Sequence, residues 1–87
     1  MRPAVKAFAE SMEKTLKNHD HRKHGWNDMH VLSLFNLMQA ECDELEEELL
    51  QETQDPDRIV SECTDIANYC MMISDKVKYQ FSNRGRE

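Results

Sequence analysis

Two long stretches of this chain repeat apolar residues every three or four positions, and in both the repeat is interrupted by paired acids. In residues 31–50, Leu34 and Leu37 begin a stripe whose next members are Glu41, Glu44 and Glu48. Seven residues advance an α-helix by nearly two full turns, so these acids lie almost over the leucines. A second stripe begins at Ile59 and continues through Ile66, Tyr69, Ile73 and Val77. Glu62 falls on it, and Asp65 lies beside it, one turn further on. Carboxylates on the inward faces of two neighbouring helices do not stay ionised in a dry core without compensation. A divalent cation compensates four of them at once.

The length of 87 residues allows one small domain. Charged residues make up 32% and hydrophobic residues 39%, with only two Gly and two Pro, which is the composition of a helical protein. A net charge of −6 argues against nucleic-acid binding and against an anionic membrane surface. It leaves room for a small anionic ligand, because a metal bridges acidic side chains to phosphates. No apolar run approaches the ~18 residues of a membrane span, and residues 1–6 lack the apolar core of a signal peptide. A cytoplasmic protein is expected. Cys42, Cys63 and Cys70 are odd in number and have no zinc spacing, so they read as buried, reduced thiols.

The periodicity predicts three helices. The first covers about residues 3–17, with Pro3 in its first turn and Val5, Phe8, Met12 and Leu16 on one face. Residues 18–27 have no period and hold three of the four histidines, a glycine and the only Trp. His19, His21 and His24 do not have the spacing of a zinc motif. Asn27 or Asp28 is the expected cap of a second helix, about 28–51. Asp55-Pro56-Asp57 is a turn that caps and starts a third, ending at 79 or 81, with a frayed tail over 82–87. The single domain thus divides into an N-terminal helix and loop (1–27), a helical hairpin (28–81) and the tail.

The short link makes the second and third helices an antiparallel hairpin. Glu41 and Glu44 lie roughly ten to fourteen residues before the turn, and Glu62 and Asp65 roughly seven to ten after it, so at ~1.5 Å per residue the pairs face each other at comparable heights. Both long helices are apolar on more than one side, as Leu32, Phe35 and Met38 illustrate on the second and Met71, Met72 and Ile73 on the third. A helix apolar nearly all round is covered on several sides. The expected fold is therefore all-α: a hairpin plus an N-terminal helix, assembling into a four-helix-type bundle as a homodimer or homotetramer.

Two carboxylates at i and i+3 on each of two facing helices make an oxygen cage open toward solvent. Mg²⁺ prefers such ligands and keeps positions for water or phosphate oxygens, and Mn²⁺ is a possible substitute. Glu44 or Glu48 is the best-placed general base for an attacking water. Trp26 is suited equally to stacking on a base and to covering the end of the bundle.

Glu41-x-x-Glu44, 17 residues (45–61), then Glu62-x-x-Asp65 resembles the E-x-x-E … E-x-x-D signature of the MazG-like all-α nucleoside triphosphate pyrophosphohydrolases, in their short bacterial and phage form. Asn18 with Lys23-His24-Gly25-Trp26 is similar to their N…K-G-G-W segment, with His24 in place of the first glycine. Residues 65–73 are similar to their D-x-A-N-F-x-M-M-I helix. The resemblance spans residues 8–77. It implies Mg²⁺-dependent hydrolysis between the α- and β-phosphates of a (deoxy)nucleoside triphosphate, giving a monophosphate and pyrophosphate in nucleotide-pool control. It implies Glu41, Glu44, Glu62 and Asp65 as metal ligands, and Asn18, Lys23, His24, Trp26, Asn68 and Lys76 as substrate contacts. The alternative is a non-enzymatic helical interaction module. A di-iron centre is disfavoured, since the Glu-x-x-His pairs it requires are absent after Val31.

Overall fold

The computed structural model describes residues 1–18 and 26–84, with the backbone alone at Asn27 and 81–84. Lys23 and His24 lie outside the described residues. Three helices carry the fold: α1 (Pro3–Asn18), α2 (Val31–Leu49) and α3 (Pro56–Arg84), with a single 3₁₀ turn at Trp26–Asp28 before α2. Among the described residues there is no strand, as the composition predicts, and no helix is long and apolar enough to cross a membrane.

α3 is the spine, and both other helices pack on it. Arg58 Nε meets Glu48 Oε1 at 3.2 Å beside the turn, and the Cys70 thiol meets Met38 Sδ at 3.4 Å further up. Residue numbers rise on one helix as they fall on the other, so α2 and α3 form the expected antiparallel hairpin. α1 is tied to α3 where Asn68 Nδ2 donates to the Met12 carbonyl at 3.3 Å.

Local chemistry sets the helix ends. Asp55 Oδ1 accepts from the backbone N–H groups of Asp57 (3.1 Å) and Arg58 (3.4 Å), the cap expected before Pro56. The start of α2 differs from expectation. Residues 26–28 close their own 3₁₀ turn, with Met29 N donating to the Trp26 carbonyl at 3.0 Å. His30, not Asn27 or Asp28, is the cap: it is extended (φ −68°, ψ 145°), and its Nδ1 accepts from Leu32 N at 3.1 Å. α2 ends at Leu49 without a glycine. The Gln51 side chain donates to the Glu47 carbonyl (3.2 Å) and Gln54 to the Leu49 carbonyl (3.1 Å), satisfying acceptors that a last turn leaves open. α3 runs past the expected stop at 81, to Arg84. No Gly or Pro occurs between Pro56 and Gly85, and Lys78, Gln80 and Arg84 are good helix formers, so nothing in residues 78–84 halts the helix.

The interior is thin. Among the described residues Leu34 is the one apolar side chain that is fully buried, while Glu62, Thr64 and Asn68 are buried polar ones. α1 buries no residue completely. Cys42 and Cys70 are exposed and Cys63 is half-buried, which corrects the expectation of three buried thiols.

Candidate metal centre between α2 and α3

The hairpin brings acids together. Glu41 and Glu44 are one turn apart on α2, and Glu62 reaches across from α3. One carboxylate oxygen from each lies within 4.8 Å of the others. The burial is graded: Glu62 is only 8% exposed, Glu41 is half-buried and Glu44 is exposed. The cluster therefore has a closed floor and an open rim, and the rim carboxylate is the one water reaches.

Such packing costs free energy when every group is ionised. Burial pushes the Glu41 carboxyl up to about 7, helped by its hydrogen bond with Glu62 and by the charges of Glu44, Asp65 and Glu62. Asp65 is thus close enough for its charge to be felt at Glu41, although the three-oxygen cluster itself is formed by Glu41, Glu44 and Glu62. Glu62 Oε2 is buried and accepts no hydrogen bond. An orphaned carboxylate oxygen in an almost fully buried side chain is costly, because its desolvation is uncompensated. A cation seated among the three acids would offset their charges. The donors are all oxygens, which fits a hard divalent ion such as Mg²⁺.

The other residues singled out in the sequence fall in different places. Glu48 is bound to Arg58 and is 16% exposed, so its carboxylate is engaged in an ion pair one turn-pair below the cluster. Asn68 is buried, but its amide nitrogen is directed to the Met12 carbonyl of α1, and its Oδ1 is buried without a partner. Trp26 is half-buried, and its Nε1 donates to Asp75 Oδ2 at 3.4 Å, fastening the 3₁₀ turn to α3. Lys76 neighbours that contact and, with Asp75, Tyr79 and Gln80, lines an open cleft of about 570 Å³. Lys76 is eleven residues beyond Asp65, or ~16 Å along the helix axis. Asn18 is exposed at the last turn of α1.

Two partners were not picked out in the sequence. Arg58 neutralises Glu48, and the antiparallel register that aligns 44 with 62 also aligns 48 with 58, so this pair was readable. Asp75 as the acceptor for Trp26 carries no sequence signal, since it lies 49 positions away on an otherwise ordinary helical turn. Compared with models of protein families, with curated proteins and with solved structures, the chain gives no match.

Proposed function

We propose that this chain is a Mg²⁺-dependent pyrophosphohydrolase of the MazG-like kind, converting (deoxy)nucleoside triphosphates to monophosphates and pyrophosphate in the cytoplasm. The observation that carries the reading is the nearly buried Glu62, one of whose oxygens has no hydrogen-bond partner, clustered with Glu41 and Glu44 across the hairpin. A purely structural helix face has no reason to direct a nearly buried carboxylate at two others. Glu41, Glu44 and Glu62 would hold the metal, with Asp65 beside them. Mn²⁺ is the natural substitute.

Bound there, the metal supplies a Lewis acid for a phosphoryl oxygen and lowers the pKa of a coordinated water. The chain's own groups do the rest. Glu44, exposed at the rim, is the better-placed general base, because Glu48 is held by Arg58. Lys76 and Trp26 sit at a second position ~16 Å along α3. A ligand that touches both positions is elongated and carries an anionic end, as a nucleoside triphosphate does. Asn68, buried between them, orients that side of the site. The assembly in this reading is a homodimer or homotetramer.

The test is direct. Pyrophosphate release is followed over a panel of dNTPs and NTPs with Mg²⁺, for the wild type, Glu41→Gln and Asp65→Asn. At least one nucleotide should be hydrolysed, and each variant should lose about 10²-fold or more in rate while keeping its helicity. An intact fold with no release from any nucleotide and no saturable Mg²⁺ uptake would instead identify a helical interaction module. The exposed apolar side chains of the hairpin, Leu32, Phe35, Leu49 and Val60 among them, are the observation that favours this second reading.

A further inference from the structure

His30 caps α2 with an atom that a proton can occupy. Its Nδ1 accepts from the Leu32 N–H at 3.1 Å, and an imidazole nitrogen accepts only while it is unprotonated. The carbonyl of the same residue accepts from Ser33 N at 3.0 Å and from Leu34 N at 3.1 Å. Ring and backbone of one residue thus hold the first turn of α2, which carries Leu34, the fully buried apolar side chain. Just before it, Met29 N closes the 3₁₀ turn on the Trp26 carbonyl, and the Trp26 ring is fastened to Asp75 of α3. His30 is exposed, so solvent protons reach the ring directly. Helix caps are ordinarily Ser, Thr, Asp or Asn, whose oxygens go on accepting between about pH 5 and 8. This cap is made by the one side chain that ordinarily changes charge in that range.

We propose that His30 is a proton-operated cap, so that mild acid releases the start of α2 and loosens the Trp26 turn beside it. Two effects act in the same direction. A proton on Nδ1 takes the lone pair that the Leu32 N–H uses and leaves that donor to water. The imidazolium then stands at the positive end of the helix dipole, where a cation is repelled. The first turn of α2 holds no acid to offset it. The charged groups on the elements around this end are Asp28 on the 3₁₀ turn and Asp75 and Lys76 on α3. The two carboxylates attract an imidazolium and the lysine repels it, but none of them restores the lone pair. The cap exists only with the neutral ring, so its contribution is complete in neutral and alkaline solution and is lost on acidification. Glu41 acts in the opposite sense, since its raised carboxyl favours the folded chain when protonated. The two are separated by place, so the readout is taken at the first turn of α2. It does not depend on the hydrolase reading, and activity plays no part in it.

NMR of the isotopically labelled full-length chain at about pH 7.5 and 5.5 tests the proposal. At the higher pH the His30 ring should be the Nε2–H tautomer, with Nδ1 bare. On acidification the ring and the Leu32 amide should titrate in step. The hydrogen-exchange protection of Ser33 and Leu34 should fall about fivefold while the centre of α3 stays protected. The emission of Trp26, the only Trp, should change with them. His30→Asn supplies an acceptor that does not titrate, so this local pH dependence should vanish, and His30→Ser replaces it if the first variant misfolds. Both variants keep His19, His21 and His24, so an effect of those rings would persist in them. The proposal is overturned by an Nδ1–H tautomer at pH 7.5 or by a Leu32 amide that does not follow the ring. It is equally overturned by unchanged protection of Ser33 and Leu34, or by variants that retain the wild-type pH dependence.

Discussion

Glu41 stands where three other carboxylates act on it, and its protonation is coupled to folding. Its folded pKa, about 7, lies above the ordinary carboxylate value of 4.5. Between those two pH values the folded chain binds more protons at this site than the unfolded chain does. Metal-free stability should therefore fall as pH rises from about 4.5 through 7 and then level off. Glu41→Gln removes the repulsion and should raise metal-free stability at pH 8 by about 1–3 kcal/mol, with little effect at pH 4.5. Urea denaturation at the two pH values, in the presence of a chelator, measures both. A wild-type stability that instead climbs between pH 4.5 and 7 would contradict this assignment of the raised group. Saturating Mg²⁺ should reduce the fall between pH 4.5 and 7, since a cation among the acids offsets their mutual repulsion.

Each helix has an end whose chemistry can be varied alone. Asp55 caps α3 with two backbone donors, so Asp55→Ala should cost about 1 kcal/mol in thermal or urea melts. His30 caps α2 through a single ring nitrogen, and Asp there adds a charge at the positive helix end. His30→Asp should stabilise by roughly 0.5–1 kcal/mol, and a loss of that size would show the ring has a role beyond the cap. These two ends also show what could be read from residues alone. Asp55-Pro56 is a local signal, and it marked the start of α3 correctly. The convergence of Glu41, Glu44 and Glu62 was readable too, because helical rise and a short turn fix the register of a hairpin. The start of α2 was not. Two polar residues preceded it, and the choice between them and His30 depended on the 3₁₀ turn that Trp26 anchors through Asp75, a contact between distant positions. The orientation of Asn68 was hidden for the same reason: its partner, the Met12 carbonyl, belongs to a backbone 56 positions away.

The molecule as a whole is extended, measuring 54 × 30 × 25 Å with a radius of gyration of 15.0 Å, where a compact chain of this length has about 12 Å. One hairpin and one attached helix cannot enclose a core, which is why the three cysteines expected inside are found at or near the surface. The stripes on α2 and α3 predict helices covered on several sides, but not which side α1 takes. Asn68 marks that side through its bond to the Met12 carbonyl, and no hydrophobic pattern announces the burial of a polar residue there.

The attachment of α1 through Asn68, with no α1 side chain fully buried, divides the molecule into parts of unequal permanence. Deuterium should enter the α1 amides first, at rates set by detachment of that helix, while the centres of α2 and α3 exchange only when the whole chain unfolds. Asn68→Ala should hasten the first process selectively. Asn68 follows Asp65 by one turn of the same helix, so the detachment of α1 uncovers Asn68 beside the acidic cluster, and the N-terminal fifth of the chain then governs how long that amide stays shielded from bulk water.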